Sequence, residues 1–420
     1  MSKPKKILAF VILSLTAGMA YFTPLLKFTF YDQMMASLSL DDVQLNVLSS
    51  VYALVNTFVY PISGILGDKY SARKLIALSM FAMAGLTALY SLTTSYPALI
   101  AIHAFFGLFA VGTFWAPYIK AIRSLGDESV QGKLFGWSEA TRGLGQAVVG
   151  FAAVGILSVS AASAGFSNLL RMTAIIYAAL GFLVLVAVPN SADDKANSAG
   201  SSIKGNMIAI LKNPGMWIVT LMIMLGFAVW LLSNTYLTTY SVRVLGISAN
   251  VASGLGIVRT YVIIVIAGFG GGWLMDKFTY KGKSLFVIFC LCSIMAAGIM
   301  LTSPFVPLCI ALTMILTLIT NVIKATYWST LGQAGIPLAM TASATGIISF
   351  VAFIPESFIT IVCGSWLKTA EASGHIASGF TKVFILIMAL CLASALIGLM
   401  LLKRTKSLEK AGQIRLGAAS

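Results

Sequence analysis

Long apolar segments separated by short polar breaks are the main pattern along this chain. Most of the charged side chains lie in the breaks. An apolar run of 18 or more residues is long enough to cross a lipid bilayer as a helix. Twelve such segments are predicted, near residues 7–30, 44–66, 75–95, 98–121, 134–158, 169–188, 215–239, 253–275, 284–302, 305–328, 342–366 and 381–402. The pattern predicts an all-α polytopic membrane protein.

A polar stretch rich in Ser and Gly divides the apolar segments into two sets of six. It covers residues 190–213 and has the composition of a linker. Its last part, residues 203–212, is amphipathic and is predicted to lie as a helix on the membrane surface. The predicted domains are an N-terminal six-helix bundle (1–189), a cytoplasmic linker (190–213), a C-terminal six-helix bundle (214–403) and a cytoplasmic tail (404–420).

Composition and charge support the membrane interpretation. Hydrophobic residues make up 59% of the chain and charged residues only 10%, which is too little charge for a soluble protein of this length. The net charge of +15 comes mainly from lysines and arginines in alternate breaks. These breaks, both termini and the linker are therefore predicted to be cytoplasmic, and no nucleic-acid partner is expected. The five cysteines and two histidines form no metal motif, and no cofactor is predicted.

A short charged turn follows the second apolar segment and recurs in the second half. The first copy contains Gly64, Asp68 and Arg73, and the second, 208 residues later, contains Gly272 and Asp276. Glycines allow membrane helices to approach closely, and a carboxylate at the membrane edge can pair with a cation or cap a helix. The fourth and tenth segments also match, because each contains an Ile-Lys-Ala sequence. The two halves are therefore interpreted as parallel repeats, the organisation of a rocker-type transporter.

These paired turns resemble the signature between helices 2 and 3 and helices 8 and 9 of the major facilitator superfamily. The resemblance implies twelve helices in two pseudo-symmetric bundles, with Asp68 and Asp276 bracing a cytoplasmic gate. The second glycine of the family signature is replaced by Ser71 and Thr279. Sequences at residues 24–35 and 135–143 resemble a bacterial, YihN-like subgroup of the superfamily. A basic residue in the outer part of helix 1, here Lys27, is also similar to an arginine of the organophosphate:phosphate antiporters.

Charged residues within the apolar segments are costly to bury and are the candidate functional residues. Lys27 either contacts an anion or extends toward the headgroups. Glu139 and Arg142, three residues apart on one predicted helix, either form a structural ion pair or bind substrate, with Arg142 holding a carboxylate or phosphate and Glu139 accepting a proton. Lys120 and Lys324, at matching positions, either bind an anion or anchor their helices near the cytoplasm.

Two further charges and two aromatic residues complete the candidate site. Arg259 is either a substrate contact or an arginine at the periplasmic end of its helix. Pro355 is predicted to break a helix hydrogen bond and to create a hinge. Glu356, the next residue, is the best proton-coupling candidate, with a structural pair to a cation as the alternative. Trp115 and Tyr118 either line a cavity or pack within the bundle.

The candidate cations outnumber the candidate acids, so we predict transport of a small organic anion by alternating access. Proton symport or anion exchange would supply the energy. Organophosphate:phosphate exchange, a transporter-like membrane sensor and lipid flipping are the alternatives. No nucleotide-binding, metal-hydrolase or nucleophile motif indicates an enzyme. The predicted partners are the substrate, the lipid bilayer and protons, and the predicted protein is a monomer of the bacterial inner membrane.

Overall fold

The computed structural model describes residues 3–40, 42–159, 162–189, 203–247, 255–256, 258–414 and 416, and these contain helices and no strand. The helices are α1 Lys3–Ala20, α2 Lys27–Leu38, α3 Asp42–Lys69, α4 Ala72–Tyr90, α5 Tyr96–Gly107, α6 Trp115–Arg123, α7 Gln131–Val159, α8 Ala162–Ala187, α9 Ile203–Lys212, α10 Pro214–Arg243, α11 Ile264–Asp276, α12 Lys281–Leu301, α13 Val306–Thr326, α14 Thr341–Ala352, α15 Ile359–Ala372 and α16 Ile376–Lys410.

The helices agree with the predicted apolar segments. Within the described residues, ten are long and apolar enough to cross a membrane. The other two predicted segments correspond to α1 and to α11, a shorter apolar helix. The all-α polytopic fold is therefore confirmed, and the helices agree with a count of twelve. The amphipathic stretch 203–212 is helical as predicted, whereas linker residues 190–202 lie outside the described part of the chain, as do tail residues 415 and 417–420.

The first apolar segment is broken, although the sequence pattern predicted one span over residues 7–30. α1 ends at Ala20, residues 21–26 form a turn, and α2 begins at Lys27. Pro24 lies within the turn and has no backbone N–H to donate to a helix. The break places Tyr21 and Thr23 on irregular backbone between the two helices. The Tyr177 hydroxyl of α8 holds this turn, since it donates to the carbonyl of Met19 over 2.6 Å.

Of the other segments that depart from regular α-helix, three contain or adjoin candidate residues. A π-helical segment, Leu108–Gly112, separates α5 from α6, and a second, Val258–Ile263, precedes α11. A 3-10 turn, Ile354–Ser357, separates α14 from α15 at Pro355, where the sequence indicated a break. Such irregular turns in membrane helices are tolerated inside protein and often mark functional positions. The first of the three segments precedes Trp115, the second contains Arg259, and the third contains Glu356.

The chain divides into two units, each with its own core. Unit 1 comprises Met1–Leu125, Thr141–Ile210 and Pro337–Phe350, and its main contacts join α4 to α8 and α3 to α5. Unit 2 comprises Gly126–Ala140, Leu211–Ile336 and Val351–Ser420, and joins α12 and α10 to α16, and α11 to α13. Each unit thus includes a short segment of the opposite set of six predicted helices. The predicted domain boundaries at 189 and 214 stay a prediction.

Candidate functional site

The Asp68 turn (residues 68–71) lies against the N-terminus of α14 in unit 1. The Asp68 carboxylate accepts hydrogen bonds from the backbone N–H groups of Ala342, at 3.2 Å, and Ser343, at 2.9 Å. The first N–H groups of a helix have no partner within the helix, and its positive end attracts an anion. Asp68 therefore caps a helix that lies 274 residues away in the sequence.

Glycines allow α3 and α14 to approach closely enough for this cap. A Cβ atom at Gly64 would lie 2.8 Å from the Ala342 carbonyl oxygen, and one at Gly67 would lie 2.7 Å from the Ala342 Cβ. Arg73, which the sequence grouped with the turn, donates to the carbonyl of Leu185 on α8 at 3.3 Å. The Arg73 side chain therefore joins α4 to α8.

Lys120 and Arg123 of α6 also belong to this region. The buried Lys120 ammonium donates to the carbonyl of Gly67 at 3.0 Å, and its charge acts on Asp68. Arg123 donates to the Thr341 hydroxyl at 2.7 Å, at the start of α14. The structure thus places Lys120, a predicted substrate contact, beside the Asp68 turn.

The Asp276 turn (residues 276–280) repeats this arrangement in unit 2. Its carboxylate accepts from the backbone N–H groups of Gly132, at 2.8 Å, and Lys133, at 2.7 Å, in the first turn of α7. Lys281 pairs with the same carboxylate at 3.3 Å, and the two side chains are only 2% and 1% exposed. A Cβ atom at Gly272 would lie 2.7 Å from the Gly132 carbonyl oxygen. The turn combines a helix cap with a buried ion pair.

Gln333 supports the Asp276 turn, and the sequence analysis did not single it out. Its side-chain oxygen accepts from the Lys281 backbone N–H at 2.8 Å, and its side-chain nitrogen donates to the Thr279 carbonyl at 2.8 Å. The Thr405 hydroxyl of α16 donates to the Gln333 carbonyl at 3.0 Å. Tyr280 donates to Glu409, also of α16, at 2.8 Å. A chain of hydrogen bonds therefore runs from α16 to the start of α7.

An aromatic cluster in unit 1 contains both predicted aromatic candidates. Trp115 donates from its indole nitrogen to the Ser349 hydroxyl at 3.0 Å. Tyr21 meets the Trp115 ring edge-on, with 6.1 Å between ring centroids, and Tyr118 lies 6.0 Å from Trp115. The charge of the half-buried Arg142 acts on the Tyr21 hydroxyl. The Trp115 ring therefore lies between contacts with Tyr21 and Tyr118, and Arg142 is close enough to act on Tyr21.

A second cluster, in unit 2, is built around Lys324. Its ammonium lies 4.0 Å from the ring centroid of Trp230, and Phe227 stacks on the same tryptophan at 5.6 Å. The Trp230 indole nitrogen donates to the Asn321 side-chain oxygen at 3.1 Å, which joins α10 to α13. Glu356, in the 3-10 turn before α15, lies close enough for its charge to interact with Lys324. The cluster therefore contains a cation, an acid and an aromatic surface.

The remaining candidates occupy separate positions. Lys27 begins α2 and is half-buried, and Glu139 is half-buried in α7. Arg259 is buried in the π-helical segment before α11. Within the described residues, no group of three or more His, Cys, Asp or Glu side chains that could hold a metal ion is found.

The helices and the paired turns are consistent with the class of membrane transporter that comparison with known proteins identifies. A family model described as Major Facilitator Superfamily matches residues 8–360, so the chain belongs to that superfamily. Its members are transporters and not enzymes. Among solved structures, the chain resembles the transporter FucP in the outward conformation (17% identity, 94% of this chain and 99% of that one, TM-score 0.72). It also resembles the proton:xylose symporter XylE (16% identity, 97% and 100%, TM-score 0.69).

Two curated relatives from Escherichia coli (strain K12) are similar over most of the chain. "Inner membrane protein YqcE" is 25% identical over 375 residues, which cover 86% of this chain and 87% of the relative. "Inner membrane protein YihN" is 24% identical over 416 residues, which cover 97% of each. The resemblance to the superfamily and to its YihN-like subgroup is confirmed.

Proposed function

We propose that this protein is a monomeric secondary transporter of a small organic anion in the bacterial inner membrane, with both termini cytoplasmic. The superfamily and the fold support transport by alternating access. Both curated relatives are named inner membrane proteins, which supports the proposed location in the inner membrane. The excess of lysines and arginines in alternate breaks supports the orientation.

The Lys324 cluster is the observation that carries the proposed substrate class. The face of an aromatic ring attracts a cation through its quadrupole and adds no negative charge. Trp230 therefore positions the Lys324 ammonium and does not itself neutralise the positive charge. Because a charge within a membrane span is costly, a fixed cation of this kind favours an anionic ligand.

Glu356 supplies a route for coupling to protons. While it is ionised, its carboxylate and an incoming anion compete for the Lys324 charge. Protonation of Glu356 removes the competing charge, so an anion and a proton bind together more favourably than either does alone. This arrangement supports proton symport. Exchange of two anions at Lys324 is the alternative source of energy for transport. Glu139 is a further proton-coupling candidate.

Arg142 is the corresponding candidate in unit 1. A guanidinium can hold a carboxylate through two parallel hydrogen bonds. Its charge already acts on Tyr21, beside Trp115 and Tyr118. We propose that these residues bind the polar and ring parts of the substrate, with Lys27 as an additional cation. Alternating access then requires each capped helix, α14 and α7, to leave its aspartate and return.

Uptake into proteoliposomes tests the proposal. Labelled organic anions, phosphate esters and neutral sugars are offered with and without an imposed proton gradient. Lys324→Gln and Arg142→Gln are each expected to lower anion uptake at least tenfold. Arg243→Gln is the control, because it also removes a positive charge from unit 2 but at an exposed position, where Arg243 pairs with Glu371.

The outcomes separate the mechanisms. Anion uptake that follows the proton gradient, and loses this dependence in Glu356→Gln, supports symport. Uptake that needs a second anion on the opposite side supports exchange, and a requirement for phosphate and its esters identifies the organophosphate exchanger. Uptake of neutral sugars alone, with Lys324→Gln as active as the unmodified protein, would falsify the anion proposal. Saturable binding without any transport would indicate a sensor.

A further inference from the structure

Arg259 is a buried cation outside both clusters. Its side chain starts from the π-helical segment before α11, and the residue is 5% exposed. One terminal nitrogen donates to the Thr238 hydroxyl of α10 at 3.1 Å, and the other donates to the Thr313 hydroxyl of α13 at 2.8 Å. The guanidinium is thus fixed between two helices by two neutral oxygens.

Among the described residues, no acidic side chain balances the Arg259 charge. None of the carboxylates in the described part of the chain forms an ion pair with it. Its Nε atom is buried and has no partner among the described atoms. A buried guanidinium normally has a carboxylate or another anion beside it, since removing its charge from water is costly. A negative charge is therefore the component that the described contacts of Arg259 lack.

The two threonines favour the same conclusion. The Thr313 hydroxyl donates to the Ile310 carbonyl at 2.7 Å, so it faces Arg259 with its lone pairs. The described contacts of the Thr238 hydroxyl include one bond accepted from Arg259 and none donated, which leaves its own proton to offer. The guanidinium has five N–H donors, and two of them are used here. The cluster therefore has more donors than acceptors.

The Arg259 cluster and the Lys324 cluster lie along the same two helices. Thr238 follows Trp230 by eight residues on α10, and Thr313 precedes Asn321 by eight residues on α13. Eight residues span about 12 Å along an α-helix. The Arg259 contacts and the Trp230–Asn321 contact thus lie at separate depths along the same two helices of unit 2.

We propose that Arg259, Thr238 and Thr313 form a second anion site, which binds a small monovalent anion of halide or carboxylate type. The ligand is either a free inorganic anion or the carboxylate group of a transported molecule. This site stands on its own contacts and needs no role for Lys324.

The test is anion-dependent thermal stability of the full-length protein in lipid nanodiscs. Sodium bromide or sodium acetate replaces sodium HEPES at constant ionic strength. A ligand that binds the folded state raises the melting temperature with its concentration and then saturates. We expect a saturable rise that is lost in Arg259→Gln and retained in Arg243→Gln, whose arginine forms an exposed pair with Glu371.

Additional variants keep the result interpretable. Thr313→Val retains the arginine and removes one hydroxyl, so the anion concentration at half-saturation is expected to rise severalfold. Lys324→Gln is expected to retain the full response, so loss of transport in that variant separates failure of the proposed function from failure of this site. Saturation by bromide alone identifies an inorganic ion, and saturation by acetate alone identifies a carboxylate group. A response that is equal in the unmodified protein, Arg259→Gln and Thr313→Val, or absent from all of them, overturns the proposal.

Discussion

The Asp68 and Asp276 turns perform the same capping role with different surroundings. Asp276 is almost completely buried, pairs with Lys281 and accepts two backbone bonds of 2.8 and 2.7 Å. Asp68 is half-buried and accepts two longer bonds, and its neighbour Lys120 bonds to the carbonyl of Gly67, the residue before the turn. One repeated sequence signal thus produces a tightly compensated turn and a looser one. The Asp68 turn is therefore expected to open at lower free-energy cost.

The largest difference between the turns is expected from removal of the carboxylate charges. Asp276→Asn leaves the buried Lys281 ammonium without its partner, and breaking a buried pair costs about 3–5 kcal/mol. We expect severe destabilisation in thermal unfolding of the detergent-purified protein. Glu371→Gln, which breaks the exposed pair with Arg243, is the control and should change stability by less than about 1 kcal/mol. Equal effects of the two substitutions would contradict the structural role of the Asp276 pair.

Asp68→Asn is expected to have a smaller effect. It weakens two hydrogen bonds to a charged acceptor, which are worth about 1.5–3 kcal/mol, and the amide retains one oxygen for the helix N-terminus. The same unfolding measurement should place it below Asp276→Asn. Cysteine accessibility of a Ser343→Cys variant should increase when Asp68→Asn is added, because the cap on α14 is weakened. A larger loss of stability than in Asp276→Asn would reverse the comparison.

The glycines provide a third test, in which the two turns should behave alike. A methyl group at Gly272 or Gly64 would approach a backbone oxygen to 2.7 or 2.8 Å. Forcing such a contact typically costs about 1–3 kcal/mol. Gly272→Ala and Gly64→Ala should both lower the melting temperature and slow transport. Gly270→Ala is the matched control on α11, because a Cβ there has no neighbour within 4 Å. Loss of function in the control as well would point to the helix itself and not to its packing.

The smallest effect is expected from loss of the hydrogen bond between Thr405 of α16 and Gln333, the residue that supports the Asp276 turn. Thr405→Val removes a hydroxyl whose proton is shared between the carbonyls of Gln333, at 3.0 Å, and Leu401, at 2.9 Å, a contribution of about 1 kcal/mol. Thr405→Ser retains the hydroxyl and is the control. A melting temperature lowered in the valine variant and unchanged in the serine variant would confirm the contact. If both variants melt like the unmodified protein, the hydrogen bond from α16 adds no stability to the turn.

The sequence predicted the helices and the equivalence of the two turns, because both depend on local patterns. Apolar length identified the spans, and Pro355 indicated the break before Glu356. The contacts of the charges depend on residues far apart in the chain. Asp68 caps a helix 274 residues away, and the helices of unit 2 bring Lys324 to Trp230. Gln333 could not be recognised, since a single glutamine in a short loop has no characteristic spacing.

The end of α16 offers a place for an optical reporter. The Lys406 ammonium lies 5.3 Å from the ring centroid of Tyr280, in the turn that follows Asp276. Four of the five native cysteines are buried and Cys290 is half-buried, so a thiol introduced by Lys406→Cys would be the most accessible target for a dye. Tyrosine quenches many fluorophores over short distances. Fluorescence from that position would then follow the separation of α16 from the turn in real time, without labelling the substrate.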